Sequence, residues 1–574
     1  MQSEKFKNFI KHKSLAFWLL ILLILILPTF VQLLRPGFFF MQDDLQAFRV
    51  HQMFKCFQDL QIPCRWVPDA GYGYGYPQFL YYPPFVYYLG AIFHLFGLQI
   101  IDSVKLLFIL GYVLSTIFMF IFLKAFLNSY LAAILGAMLY TYVPYKALEV
   151  YVRGALSELW SLVFYPLIFL SIQQLITKKN LKYVIFFSLS LGGLLITHNL
   201  MTLIFAPVAL IWCFSLLIIN KEWKVLPKII FAGVLGAGLA AFYTLPVIFE
   251  AKYAHLETLL GGYFDWRAHF VNLERLFISN HFGYGSSGIG QDNDLTLSSG
   301  QIHWVLGFLA LLLSLALYKK FKKLAVLTIV LSLVELLVLF LIHQKSTFLW
   351  EMMPALAWLQ FPWRFLTVSI FILSILGSIA MFFVSQVNKR WAKIFAVVII
   401  VGIFILHGQF FRPKNWIEIT DGEKFSGQSW QKQLTISIFD YLPIYAKLPP
   451  NHEAPELPEV LEGEVEFLNY QKGSNYQFGA VDVKKISVLR LPLFDFPGME
   501  VLVDGKKASH FNNDCRGQEY CFGLITFPIY TGKHTIYAQL KDTQVRSIGN
   551  IITLGSFLIV VVLIFKEYAF WKTR

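Results

Sequence analysis

Two adjacent aspartates, Asp43 and Asp44, follow within a few residues of a long apolar run. Unpaired acids at the edge of a hydrocarbon layer are expensive to keep. An adjacent pair there suits one of two tasks: holding a divalent cation such as Mg or Mn, or taking a proton from a hydroxyl as general base. Asp44 is the better placed of the two for catalysis. The competing reading is that one of them caps a helix running over 45–60. His51 lies seven residues beyond Asp44, two helical turns on and nearly on the same face, where it either orients a ligand or is simply solvated.

The next stretch, RWVPDAGYGYGYPQFLYYPP, is rich in glycine, proline and tyrosine. Arg65 has the planar fork that pairs with a phosphate. Trp66, Tyr72 and Tyr74 offer flat faces with polar tips, which suit sugar rings and membrane interfaces equally. The alternative is a rigid interfacial cap. GYGYGY lacks the Lys-Ser/Thr pair and the strand–helix setting of a nucleotide-phosphate loop.

The elements that position these residues follow from composition. Of 574 residues, 57% are hydrophobic and 14% charged, against about 25% charged in a soluble domain. A soluble enzyme and a disordered chain are both excluded, leaving a polytopic α-helical membrane protein. About twelve apolar runs are long enough to read as spans, near 14–34, 104–123, 130–142, 159–176, 183–197, 201–219, 229–248, 303–317, 324–342, 365–384, 391–406 and 548–565. With the N-terminus inside, every inside segment is basic, from Lys5, Lys7, Lys11 and Lys13 to Lys566, Lys572 and Arg574. Together these exceed the chain's net +13, so the remainder is acidic. A thirteenth run, 85–97, would put the later basic clusters outside if it crossed, against the positive-inside tendency. It therefore reads as an interfacial helix. The +13 reports orientation and not a nucleic-acid partner. The first run has no small-residue cleavage site and reads as an uncleaved span rather than a signal peptide.

This topology divides the chain into a basic cytoplasmic N-terminus (1–13), a membrane domain (14–406) with a first outer loop at 35–103, an extracytoplasmic β-rich domain (407–547), a last span (548–565) and a cytoplasmic tail (566–574). Runs such as KKISVLRLPLF, MEVLVDG and KHTIYAQL read as strands of a β-sandwich-like domain, with Val503-Asp504-Gly505-Lys506 as a hairpin turn. The Pro- and Glu-rich stretch 448–466 reads as a surface linker. Cys56 and Cys64 share the first outer loop, and Cys515 and Cys521 the C-terminal domain. Two disulfides, Cys56–Cys64 and Cys515–Cys521, are the expectation on an oxidising side, with four free thiols the alternative. Glu335, inside a span, lies apart from these groups and reads as a helix–helix hydrogen-bonding acid or a protonated carboxyl, with a buried functional acid the alternative.

The Asp-Asp pair after span one, the Pro-Cys-Arg-Trp element, GYGYGYP and the YYPP entry to an interfacial helix resemble a bacterial membrane-protein family labelled 6-pyruvoyl-tetrahydropterin synthase-related. That family is similar in architecture to GT-C glycosyltransferases, which use polyprenyl-phosphate-linked sugars. The resemblance continues at YVRGALSELW, THN and LQFPWRFL, and FPGMEVLVDG is similar to the terminal β-domain of related enzymes. It implies a membrane glycosyltransferase in which Asp44 or Asp43 activates an acceptor hydroxyl. The matching positions Arg153, Glu158, His198 and Arg364 fall at outer ends of spans in the topology above. There the arginines would receive the charge of the departing lipid phosphate, or be held in salt bridges and interfacial anchors. The implied donor is a polyprenyl-phosphate sugar, the acceptor a glycan, lipid or protein, and the stereochemistry inversion. The weighed alternative is a lipid or polysaccharide transporter or flippase, for which midplane charges and internal repeats are weak here. An assembly scaffold would leave the aspartate pair unexplained.

Overall fold

The computed structural model describes residues 15–290, 293–435, 439–513, 515, 517 and 521–572. Each apolar run is helical, because a chain in hydrocarbon must satisfy its backbone groups internally. Among the described residues, seven helices are long and apolar enough to cross a membrane: Ile100–Leu127, Leu156–Lys178, Asn199–Asn220, Lys322–Ile342, Pro362–Val387, Lys389–Phe410 and Gln544–Ala569. Nine result if two bent pairs each count as one span. Three more runs expected as spans, Leu15–Thr29, Lys182–Thr197 and Gln301–Ala316, are shorter helices. The expected twelve thus divide into seven clear, two broken and three short. Only 17% of the most apolar stretch of the last helix is buried, and Ile551, Leu554 and Phe557 stand exposed on it. Such a continuous apolar wall is at home in lipid. Phe85–Leu95, with 11 residues, rises about 16 Å and is too short to cross a ~30 Å core.

The bends have identifiable causes. Tyr130–Thr141 and Pro144–Arg153 meet at 46°, where Pro144 takes the first position of the second helix. That second helix ends in a π-turn, Glu149–Arg153, closed by Gly154 at φ 68°. A Cβ on Gly154 would overlap Met41 Sδ. The glycine therefore lets the start of the first long loop run beside the turn. The pair Trp223–Leu239 and Ala241–Phe249 bends by 76°. Its freed groups find partners: Thr553 Oγ1 accepts from Phe242 N at 2.9 Å, and Arg65 donates to Phe242 O at 3.0 Å.

Beyond the apolar runs, the first loop carries helix α1 (Gln46–Gln58). A two-stranded ribbon, β1 (Phe38–Phe39) with β2 (Trp416–Ile417), ties that loop to the chain after Lys389–Phe410. Two short helices follow, α2 (Asp421–Lys424) and α3 (Gly427–Thr435). The expected β-rich region is thus helical and irregular up to about residue 458. The expected 448–466 linker is corrected in its second half: β3 (Glu459–Lys472) is a strand whose glutamates face solvent.

The remaining strands are β4 (Tyr476–Phe494), β5 (Met499–Val503), β6 (Lys506–Ala508), β7 (Leu524–Ile529) and β8 (Gly532–Leu540). With β3 they form one antiparallel sheet of six strands, rather than the two separate sheets of a sandwich. The long β4 pairs with β8 over 476–483 and with β7 over 487–494. Val481, Val483, Leu489, Leu491, Ile525 and Ile536 share one buried cluster, so both halves close on a single core. Asp504 (φ 51°) and Gly505 (φ 74°) make the tight turn between β5 and β6, the geometry that favours glycine in two-residue hairpins.

Candidate active site

The first half of the long loop is stitched to the π-turn. Gln42 N donates to Val152 O and Asp43 N to Arg153 O, both at 2.9 Å, and Gln46 Nε2 donates to Gly154 O at 2.9 Å. Asp43 accepts from Gln46 Nε2 at 2.8 Å and pairs with Arg49 at 3.0 Å. Arg49 also lies over the Tyr82 ring, 4.1 Å from its centroid, a cation–π contact in a desolvated setting. Asp44 turns the other way and pairs with Lys424 of α2 at 2.7 Å. Burial raises the Asp44 pKa above the usual carboxylate range, and Lys424 offsets only part of that rise. Neither aspartate caps α1, whose N-cap is Leu45 without a side-chain hydrogen bond.

Directly behind Asp43, the ends of several apolar helices converge. Arg153 pairs with both Glu149 and Glu158 and lies 4.5 Å from the Trp363 ring centroid. Glu158 accepts from Tyr145 Oη at 2.6 Å. Arg364 donates to Leu359 O and Gln360 Oε1, while its Nε, 3.7 Å from Glu158, has no hydrogen-bond partner. Arg364 lies within electrostatic reach of Tyr82, and His198 of Glu158. His198 Nδ1 is buried without a partner. Asp43, Arg153, Glu158, His198 and Arg364 therefore form one neighbourhood.

The second half of the loop goes elsewhere. Arg65 Nε pairs with Asp542 at 3.0 Å, and its Nη2 donates to Asn550 at 2.8 Å. Its guanidinium is committed to the last helix and the Phe242 bend, and is corrected from phosphate ligand to structural clasp. Trp66 and Tyr74 belong to the core of the β-domain, where Trp66 packs against Phe496 and Tyr74 against Phe494. They are buried, so their faces are closed to a sugar. Gly75, at φ +86°, has no Cβ because one would enter the Trp66 indole. Of the aromatics expected to bind substrate, Tyr72 lines the larger cleft, of about 380 Å³.

His51 stacks on Phe425, with centroids 4.6 Å apart, and meets Trp430 edge-on. Burial lowers its pKa to about 4, so it is a neutral packing group beside the Asp44–Lys424 pair. Cys56–Cys64 and Cys515–Cys521 are disulfide-bonded. Asp43 and Asp44 do not fit the expected Mg or Mn. Their carboxylates turn to different cations, and among the described residues no group of three or more His, Cys, Asp or Glu is placed to hold a metal. Such ions need several converging oxygens. The arrangement suits proton transfer.

No family model matches the chain, and no curated protein matches it. Among solved structures, it is similar to the oligosaccharyltransferase of Archaeoglobus fulgidus, crystallised tethered by a disulfide to an acceptor peptide containing the NVT sequon. The two share 14% identity at a TM-score of 0.43, over 71% of this chain. This chain spans 56% of the length of that one.

Several site residues escape a reading of the sequence. Glu149 stands four residues before Arg153, the spacing of a helical ion pair, and that signal was legible. Gln46 and Arg49 sit on α1, within one and two turns of the aspartates. Lys424 carries no local signal at all, because its role depends on α2 folding back over α1. Glu335 accepts from Ser369 Oγ at 2.5 Å on a neighbouring helix.

Proposed function

We propose that this chain is an integral-membrane glycosyltransferase of the GT-C type, moving a sugar from a polyprenyl-phosphate donor to an acceptor outside the cytoplasm. In this reading the chain crosses the membrane about twelve times with both termini cytoplasmic, and the site lies at the outer face. One observation carries it: the Asp43 N–H to Arg153 carbonyl hydrogen bond pins the aspartate pair against the arginine-bearing helix ends. In this reading the base, Asp44, is next in the chain to the residue that joins the arginine-bearing helix ends, which would receive the lipid phosphate.

Asp44 takes the proton of an acceptor hydroxyl, and that oxygen attacks the anomeric carbon. The bond from that carbon to the phosphate oxygen breaks, and the electron pair leaves with the polyprenyl phosphate. Arg364 is the better phosphate ligand, because its Nε has no hydrogen-bond partner, whereas Arg153 is balanced by two glutamates. A single displacement of this kind inverts the anomeric centre, as base-assisted attack does in inverting glycosidases.

The test is reconstitution with labelled polyprenyl-phosphate sugars, following release of lipid phosphate. Asp44→Asn, compared per folded molecule, is expected to lower transfer by about 10²–10⁴-fold, the range of general-base catalysis. A fully active Asp44→Asn protein would remove Asp44 from the mechanism. No release from any donor by the folded wild-type protein would overturn the transferase assignment.

A further inference from the structure

An open cleft of about 380 Å³ lies where the end of α1, the glycine-rich loop, α3 and the turn before β4 meet. Its walls include Lys55, Asp69, Tyr72, Trp430, Glu453 and Lys472. Lys55 and Asp69 form an ion pair at 2.5 Å, and Asp59 at the rim accepts from Ser474 N at 2.5 Å. Three carboxylates against two ammonium groups leave the walls near neutrality, which disfavours a polyanion. More of the lining is polar than apolar, which disfavours a lipid tail. Two aromatic rings among carboxylates and amides match the hydroxyl-bearing edges and apolar faces of sugar rings.

The backbone supports a binding role independently. Tyr72 holds φ +57° between Gly71 and Gly73, a left-handed conformation that costs a side-chain-bearing residue of order 1–3 kcal/mol and gathers at ligand clamps. The strain is held from two walls: Tyr72 N donates to Leu434 O at 3.3 Å and Ala454 N donates to Tyr72 O at 2.8 Å. A glycine at this position would relieve it. The sequence keeps a tyrosine, whose ring lines the cleft.

The cleft stands apart from the proposed base. Helix α1 rises about 1.5 Å per residue, so Lys55 lies roughly 14 Å along it from Gln46, beside Asp44. We infer that the cleft is a glycan-binding subsite, gripping sugar units remote from the reacting hydroxyl, so that the acceptor is an extended uncharged oligosaccharide. The word acceptor rests on the transferase reading; the binding of glycan in the cleft does not.

The experiment uses the full-length protein in lipid nanodiscs and titrates uncharged gluco-, manno- and galacto-oligosaccharides, from disaccharides to hexasaccharides, by calorimetry. At least one series is expected to bind, more tightly with length. Tyr72→Gly is expected to weaken it about tenfold, a loss of ~1.4 kcal/mol, with no fall in unfolding temperature, and Glu453→Gln to weaken it less. Binding of no series by the wild type, or affinities unmoved in both variants, overturns the proposal. Preferential binding of inorganic phosphate in the cleft overturns it too. Cleft-dependent glycan binding without transfer from any donor would sink the transferase reading and leave this one standing; transfer from a lipid-linked donor without glycan binding would do the reverse.

Discussion

The two halves of the first long loop are built from equally suggestive residues and are put to opposite uses. Asp43, Gln46 and Arg49 turn toward the helix ends and Asp44 toward Lys424, and Arg364 Nε, 3.7 Å from Glu158, makes no hydrogen bond. Arg65, Trp66 and Tyr74 turn into the β-domain and the last helix, where Arg65 is held by Asp542 and Asn550 and both rings are buried. The difference teaches that arginine and aromatic rings near a membrane do not by themselves mark a ligand. What separates the halves is where their side chains end: the first among the charged helix ends and Lys424, the second in a packed core and a close clasp to the last helix. Gly75 makes the point on the structural side, because its missing Cβ admits the Trp66 indole and not a substrate.

The comparison breaks most visibly in paired variants. Asp44→Asn should abolish most transfer, by about 10²–10⁴-fold per folded molecule, with some loss of stability because the buried Lys424 ammonium is left unpaired. Arg65→Ala should lose stability alone. It strands Asp542 and the Phe242 carbonyl, a loss of about 2 kcal/mol after allowing for the partial exposure of Asp542. Thermal unfolding of the β-domain and last helix should fall, while turnover per folded molecule holds. A selective loss of turnover in Arg65→Ala would return that residue to the site.

How much of this was legible depended on where each partner sits in the chain. Arg153 and Glu158 are five residues apart, and charge asymmetry alone suggested which helix ends they share with Asp43. Arg65 was misread because a guanidinium suited to phosphate is equally suited to a carboxylate and a freed carbonyl. The choice was made by Asp542 and Asn550, at the far end of the chain. Strand β3 was hidden for a similar reason. It is an edge strand with Glu459, Glu462, Glu464 and Glu466 along it, and composition without pairing reads as linker. The helix that resumes at Pro144 has no local signal either, since nothing in the sequence reveals that Gly154 lets Met41 approach it.

A smaller effect sharpens the role of Lys424. Its ammonium lowers the Asp44 pKa against the upward push of burial. Removing the cation in Lys424→Met should raise that pKa further. A base must be deprotonated to work, so the acid limb of the pH–rate profile should move to higher pH, by about one unit if the pair is worth about 1.4 kcal/mol. Arg65→Ala should leave the limb in place, since its charge belongs to the other half of the loop. An unmoved limb in Lys424→Met would separate Asp44 from the titration that governs turnover.

The smallest expected effect concerns His51, which lies between the two halves. Its pKa is about 4, against 6.5 for the free side chain, because burial disfavours the cation and Lys55 repels it. Asp69 pulls the other way and His94 adds to the repulsion. The unfolded chain therefore binds a proton at this position below pH 6.5 that the folded loop refuses until about pH 4. By linkage, stability is fully present above pH 6.5 and is lost as pH falls from there toward 4. Acid should loosen the contact of α1 with α2 and α3 before the β-domain responds, visible as earlier hydrogen exchange at the amides of Phe425 and Trp430. His51→Phe keeps a ring against Phe425 and has nothing to protonate, so the exchange at those amides should become flat between pH 6.5 and 4. If it does not, the acid sensitivity belongs to the Asp44–Lys424 pair next to it, and α2 is held to the loop by charge rather than by the stacked ring.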